Sequence, residues 1–330
     1  MRVTFKSPIN PYLNNLDKIQ NRKINEEMRL STGNRIQSLA DDPTALVDSK
    51  QLASKIEKNK TYLSNIEETL NEMRLAHESI DFLSNSMQKI RDLAVDSTQI
   101  GVQGDTVTIA IYVKGILEDM VKESNKDLGG RYLFSGTKTL PNNINVIPPA
   151  TNNQPYEIIE GEKTTENPSG LQIIFKGNNN ERIINKDNYS TEVVNVSANK
   201  LFGEKLDGFN AVINLYNVLY YKSDGTKREK NDPISEEDFL KLNDYQKKIA
   251  ESVDQLNSVN SEFGAKINRL ELIQTQYESD NIRLNEIKSI KSDTDVAQAA
   301  INLKMEETAL NYSLQIGSGL IRNSLFDFLS

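Results

Sequence analysis

Two stretches of this chain carry apolar residues at every seventh position, and they lie far apart in the sequence. From Asp42 to about Ser124 the rhythm reads as one long helix. Ile56, Leu63, Leu70 and His77 form one series, and Asn59, Ile66, Met73, Ile80, Met87 and Ala94 the other, an a/d seam with polar interruptions. Near the C-terminus Leu256, Phe263, Leu270, Tyr277 and Leu284 repeat at the same interval, with Val259, Ile273 and Ile287 on the neighbouring position. A seven-residue period drifts slowly around a straight helix, so two such stripes bury best when their helices supercoil as antiparallel neighbours. The expected fold is mainly α: a long coiled-coil-like antiparallel helical bundle with terminal helical arms and an inserted small β-rich domain.

The insert is read from a change of period. From about Lys138 to Asn199 the chain offers the strand-like pieces "YEIIE", "LQIIFKG", "ERIINK" and "EVVNVS" between Asn, Gly and Pro clusters. A short helix at Phe209 to Tyr221 and the polar loop "KSDGTKREKNDP" lead back to the bundle. There Ser235 and Asp238 are placed as a capping box, with Ile234 and Phe239 as its hydrophobic staple. Five parts follow: an N-terminal arm and connecting segment at 1–41, the first half of the bundle at 42–137, the β-rich insert at 138–207, the second half at 208–288, and a connecting segment with the C-terminal arm at 289–330.

Each arm is set off by punctuation. In "RLSTGNRIQSLADDPT", Gly33 and Asn34 end one helix, while Asp42 caps the next and Pro43 fills its first turn. At the other end "SIKSDTD" offers Ser292 or Asp293 as cap of the final helix, with Asp295 in its first turn. At about 100° per residue, Val296, Ala300, Leu303, Leu310, Leu314, Ile321, Leu325 and Phe328 form one stripe of that helix. Ile301, Met305, Tyr312 and Ile316 form a second, opposite one. The first helix spreads Tyr12, Leu13, Leu16, Ile19, Ile24, Met28 and Leu30 over about half its circumference. Either this chain's own core or partner molecules must cover these faces. The flanking breaks favour partners, as for segments that order on assembly.

Chemistry is sparse. The net charge of −8 and a pI near 5.1 oppose nucleic-acid binding, since no basic patch offsets phosphate repulsion. The start "MRVTFKSPINPYLNN" lacks the apolar core of a secretory signal, and no window approaches eighteen apolar residues, so no membrane insertion is expected. Cysteine is absent, which removes disulfides, thiolate metal sites and cysteine nucleophiles. The one histidine, His77, sits at a seam position beside Met73, Arg74, Ile80 and Asp81, without the second ligand or carboxylate partner that metal or acid–base work needs. "GVQGD" and "LGGRYLFSG" lack phosphate-loop and dinucleotide spacing and read as turns. The acidic pairs Glu67-Glu68, Glu236-Glu237 and Glu306-Glu307 lie among lysines on solvated helix faces. The sequons at Asn188, Asn195 and Asn311 carry no weight without a secretory context. No catalytic, metal or cofactor site is expected.

Specific wording adds to periodicity. "LSTGNRIQSLADDPTAL", Leu30 to Leu46, resembles the N-terminal signature of the bacterial flagellin family. "NKDLGGRYLFSGTKT", Asn125 to Thr139, is similar to a segment of that family's hook-filament junction branch, and the chain from "NRLELIQTQYESDN" to "LIRNSLFDFL" resembles that branch's C-terminal arm. The resemblance covers about the first 140 and the last 75 residues. It implies a structural, non-enzymatic adaptor of the bacterial flagellum, exported unfolded through the flagellar type III export apparatus with an export chaperone and without a cleaved signal peptide. It further implies an extracellular place at the hook-filament junction. The partners would be other copies of itself in a ring, the preceding hook-associated protein and flagellin. Terminal helices would pair into an inner tube, long helices would form an outer one, and inserted domains would face outward.

On that reading the assembly interface comprises Leu13, Leu16, Ile19, Ile24, Met28, Leu303, Leu310, Leu314, Ile316, Ile321, Leu325 and Phe328. The connecting joints, Ser31 to Asp42 and Ser289 to Asp295, turn on Gly33, Arg35, Asp41, Asp42, Pro43, Asp293 and Asp295. Filament flagellin itself, or an adhesive surface module in the β insert, are the alternatives. The "MRVTF" start and the end "YSLQIGSGLIRNSLFDFL" depart from filament flagellin.

Overall fold

The seven-residue stripes do become long helices, α2 (Pro43–Thr98) and α6 (Glu236–Ser292). They stand in a chain whose order is α1 (Ile9–Thr32), α2, α3 (Thr106–Ser124), six short strands, α4 (Ala198–Phe202), α5 (Asp207–Tyr220), α6 and α7 (Val296–Leu329). The structure is a computed structural model and describes residues 9–98, 106–140, 153–230 and 232–329, the side chains of Ile9 and of 319–329 excepted. Two compact units divide it: 1–60 with 277–330, and 61–276.

Within 61–276 the a/d arithmetic sets the core. Along α2, Ile66, Leu70, Met73, Ile80, Leu83, Met87, Ile90 and Ala94 are buried at alternating intervals near three and four. Along α6, Leu242, Ile249, Val253, Leu256, Phe263, Ile267 and Leu270 are buried in the same rhythm. The two run antiparallel: Arg74 bonds Glu271 at 2.7 Å, Ser84 Oγ donates to Asn257 Oδ1 at 2.6 Å, and Gln246 donates to the Ala94 carbonyl at 2.7 Å. Ser84, a polar position of the seam, is thus met by a cross-helix hydrogen bond. His77 faces Gly264, whose added Cβ would lie 3.5 Å from the imidazole Cε1.

Two sequence expectations change here. The stretch from Asp42 to Ser124 is not one helix: α2 stops at Thr98 and α3 begins at Thr106, with the Gly101 and Gly104 turn outside the described residues. The rhythm persists because α3 folds back along α2 and buries its own Ala110, Val113, Leu117, Met120 and Val121, with Ser79 Oγ of α2 bonded to Glu123 at 2.6 Å. On α6 the positions flanking the stripe are Val253 and Ile267; Val259 and Ile273 are half-buried and Ile287 is exposed. The buried companions precede the stripe by three residues because the core lies on that side.

The strands pair as three separate antiparallel ribbons. β1 (Asp127–Leu128) pairs with β2 (Arg131–Tyr132), β3 (Tyr156–Glu160) with β4 (Leu171–Phe175), and β5 (Ile183–Asn185) with β6 (Thr191–Val193). Gly129 and Gly130 form the first turn with φ of 60° and 79°, the double positive φ of a two-residue hairpin loop that side chains resist. A lone two-stranded ribbon is marginal in water, and β3–β4 meets this limit by packing between α3 and α5. Fully buried Tyr156 leads that packing, against Phe175, Phe202 and Phe209 at ring distances of 4.9, 5.8 and 6.2 Å. Asn125, at the end of α3, clasps the Tyr156 backbone like a neighbouring strand, donating to its carbonyl and accepting from its N–H at 2.8 Å each. Burial pushes the Tyr156 hydroxyl pKa up, and the group donates to the Phe134 carbonyl at 3.2 Å. The ribbon completes one core with the helices around it.

The start of α6 is pinned by a buried ion pair. Arg228 and Asp238, with side chains 1% and 5% exposed, are bonded through Nη2 and Oδ2. Arg228 also donates to the carbonyls of Val218, Tyr221 and Pro233 at 3.1 Å, and Ser223 donates to Asp238 Oδ1 at 2.8 Å. The expected capping box is therefore half formed. Ser235 Oγ accepts the Asp238 N–H at 3.1 Å, but the Asp238 carboxylate is turned to Arg228, and Phe239 is exposed. Removing one member of a satisfied buried pair leaves an uncompensated charge, which typically costs about 3–5 kcal/mol. Arg228→Met should lower unfolding stability by at least that much in a urea titration followed by circular dichroism, and adding Asp238→Leu should restore only part of it, because the three carbonyls that Arg228 serves stay without its donors. An unchanged midpoint for Arg228→Met contradicts the pinning role.

Candidate assembly interface and its joints

The unit formed by 1–60 and 277–330 holds the two arms and both breaks. Arms α1 and α7 pack antiparallel against one another. The covered face of α1 is Tyr12, Leu16, Ile19, Lys23, Glu26 and Leu30, and that of α7 is Ala299, Leu303, Glu306, Leu310, Ser313 and Gly317, all at least half-buried. Both sets step by four and three, the period of a coiled-coil seam. The Tyr12 hydroxyl donates to the Ser313 carbonyl at 2.9 Å, and its ring fills the space beside Gly317, where an added Cβ would stand 2.1 Å from the hydroxyl. Arg22 grips Glu306 with two bonds, 2.7 and 3.1 Å, a bidentate fork that fixes register more than it adds stability at an exposed site.

This pairing leaves much apolar surface outside. Of the expected interface residues, Leu16, Ile19, Leu303 and Leu310 lie half-buried in the seam, while Leu13, Ile24, Met28, Leu314 and Ile316 are exposed. Val296, Ile301, Met305 and Tyr312 are exposed as well, Tyr312 to 63% and Ile316 to 62%. The side chains of Ile321, Leu325 and Phe328 lie outside the described residues, on a backbone that continues α7. The reading by apolarity missed Ala299, Ser313 and Gly317. Small residues repeated at seam spacing were the available signal, because they let two helices approach closely.

The breaks are built from backbone and caps. Gly33 takes φ of 70° and its N–H donates to the Arg29 carbonyl at 2.9 Å, the left-handed helix end that glycine tolerates. Asn34 stands opposite Asp293 in an antiparallel bridge. Asp42 caps α2, its Oδ1 accepting from the Ala45 N–H at 3.0 Å, and Pro43 is the first helical residue. Asp41 Oδ2 accepts from the N–H groups of Gln37 and Ser38 at 2.9 Å each. Arg35 Nη2 reaches the Lys291 carbonyl at 3.0 Å and Asp42 Oδ2 at 3.3 Å. Lys291 in turn pairs with Asp48 of α2, and Ile36 is buried.

At the second break the expectation shifts by a few residues. α6 continues through Ser292, so only 293–295 interrupt the helices, and the cap of α7 is Asp295 rather than Ser292 or Asp293. Asp295 Oδ1 accepts from the Gln298 N–H at 3.0 Å. Ser292 instead bonds back to the Lys288 carbonyl at 2.8 Å, as a mid-helix serine does. Among the described residues no three His, Cys, Asp or Glu side chains are grouped to hold a metal ion, and no helix is long and apolar enough to cross a membrane.

Both aspartates of the first break titrate below the usual carboxylate range. The N–H groups of Gln37 and Ser38 hold Asp41 down, and for Asp42 the Ala45 N–H acts first, then Arg35. A carboxyl held below its unfolded value contributes stability that is present above about pH 4 and is lost as pH falls through the depressed value. Hydrogen exchange should find the Gln37, Ser38 and Ala45 amides protected at pH 5 and progressively unprotected below about pH 4. In Asp42→Asn, whose amide oxygen caps without titrating, protection of Ala45 should persist into acid.

Residues 7–139 match the family model for the bacterial flagellin N-terminal helical region. No curated protein matches the sequence. Among solved structures, one assigned as a flagellar hook-associated protein of Vibrio parahaemolyticus aligns with a TM-score of 0.57 and 18% identity, over 76% of this chain and 99% of that one. The flagellar junction protein FlgL of Legionella pneumophila aligns at 0.54 and 14%, over 76% and 100%. FlgL of Xanthomonas campestris aligns at 0.54 and 13%, over 73% and 99%. At such identities the likeness is one of fold. The chain carries a bacterial flagellin N-terminal helical region at 7–139, set in the fold of flagellar hook-associated proteins.

Proposed function

We propose that this chain is a structural adaptor of the bacterial flagellum that forms the junction layer between hook-associated proteins and the flagellin filament, and that it assembles through its terminal arms. One observation carries the reading: α1 and α7 pair within the chain yet leave Leu13, Ile24, Met28, Ile301, Met305, Tyr312, Leu314 and Ile316 exposed along both helices. Large apolar side chains left exposed in rows along paired helices mark interaction faces. A ring of identical copies covers such faces by repeating one heterologous contact. The assembly interface is then the exposed set together with Ile321, Leu325 and Phe328, and Leu16, Ile19, Leu303 and Leu310 hold the pair that presents it.

The parts take their roles from this: arms at 1–41 and 289–330, bundle halves at 42–137 and 208–288, and the insert at 138–207. The neighbours are further copies, the preceding hook-associated protein and flagellin. Delivery runs through the type III export apparatus and its chaperone to the outside of the cell. The role is mechanical, with no catalysis.

Leu314 is 52% exposed in the single chain, so Leu314→Asp should leave the helical circular dichroism of the purified protein unchanged. Once covered, the carboxylate costs several kcal/mol, which weakens incorporation by about a hundredfold or more. Cells carrying this variant should make hooks without filaments and release flagellin into the medium. Normal filaments on such hooks would overturn the reading.

A further inference from the structure

The two breaks are separate in sequence and single in space. Gly33 to Arg35 runs antiparallel to Ser292 to Thr294, with Asn34 opposite Asp293. The Thr294 N–H donates to the Gly33 carbonyl at 2.8 Å, and the Arg35 N–H donates to the Ser292 carbonyl at 2.7 Å. These bonds flank the Asn34–Asp293 pair instead of joining it, so the pair is of the close, non-hydrogen-bonded kind, with Cα atoms about 4.5 Å apart. Arg35 adds a second tie. Its guanidinium touches the Lys291 carbonyl near the C-terminal end of α6 and the Asp42 carboxylate that caps α2, so a cation meets the negative end of one helix and the anion at the positive end of the other.

Freedom of movement lies on the arm side of this bridge. Gly33 has a positive φ, and no atom stands within 4 Å of where its Cβ would be. Sliding or twisting one arm alone strains the Thr294–Gly33 bond that joins the two arm ends, whereas bending about the bridge keeps both bonds.

We propose that the two connecting segments form one two-stranded hinge, so that α1 and α7 change their angle to the adjoining ends of α2 and α6 together, as one paired arm, with the Asn34–Asp293 bridge closed throughout. The use of that motion in assembly rests on the adaptor reading, while the hinge itself is a property of the single chain.

The chain contains no cysteine, which gives a clean background for Asn34→Cys with Asp293→Cys in the full-length protein. The close pair lies within disulfide reach. Distances are read by electron–electron resonance between noncanonical, cysteine-independent spin labels, at Asn21 and Lys304 for arm to arm, and at Asn21 and Lys50 for arm to α2. The disulfide is expected to form on mild oxidation. The arm-to-arm distribution should be narrower than the arm-to-α2 distribution, and oxidation should change neither. Failure of the disulfide to form, narrowing of the arm-to-α2 distribution on oxidation, or an arm-to-arm distribution as broad as the other overturns the hinge. Thr294→Pro deletes one bridging donor and should slow disulfide formation about tenfold; an unchanged rate overturns it as well. A chain that passes these tests but fails to incorporate at hook tips counts against the adaptor reading alone.

Discussion

Every α-helix ends with four N–H or four C=O groups that its own turns cannot satisfy, and this chain brings four helix ends to one place. The C-terminus of α1, the N-terminus of α2, the C-terminus of α6 and the N-terminus of α7 all lie within residues 29–48 and 289–299. Few groups settle them: a glycine turn, two aspartate caps, one arginine and two exchanged backbone bonds. Each solves a local problem of unpaired polar groups, and together they form a crossing at which two strands replace four helix ends.

The 61–276 unit answers a different constraint. Its seam has to tolerate Ser79, Ser84 and His77 among the apolar positions, and it does so by pairing each serine across to a neighbouring helix. Strands too short to be stable alone borrow the faces of α3 and α5, and Tyr156 is the point where that loan is secured. The buried Arg228–Asp238 pair then fixes where α6 begins. A hydrophobic staple would have served with fewer buried charges, but Val218 near the end of α5 and Tyr221 and Pro233 of the following loop present three carbonyls that one multi-donor side chain satisfies together.

Much of this was legible in the sequence, for identifiable reasons. Period seven announced α2 and α6, since Ile66, Met73, Leu256 and Phe263 are large and apolar and their spacing is regular. Asp42-Pro43 announced a helix start because cap and first-turn chemistry is local. The fold-back of α3 stayed hidden because its own stripe continues the rhythm of α2 across the turn. The arm seam was only partly legible, for the opposite reason: Ala299, Ser313 and Gly317 contribute closeness rather than apolar area, and a stripe weighted by hydrophobicity passes over them. Asp238 looked like a capping-box member because the spacing is right, but a buried arginine ten residues earlier outbid the local backbone. The Asn34–Asp293 bridge joins residues some 250 positions apart, and nothing in the pattern of either segment encodes a partner at that range.

The composition of the arm seam also decides when conformational freedom is given up. Alanine, glycine and serine have little or no side-chain rotamer entropy to lose, whereas methionine, leucine and isoleucine lose roughly 0.5–2 kcal/mol each when fixed. The seam between α1 and α7 is closed in part by Ala299, Ser313 and Gly317, while Met28, Ile301, Met305, Leu314 and Ile316 remain outside it. Those three small positions add little to the ordering cost of pairing the arms, and the cost of fixing the outer side chains is deferred to whatever later covers those faces. A chain built this way can present a defined rod while keeping its most adaptable side chains free to settle against neighbours of differing shape.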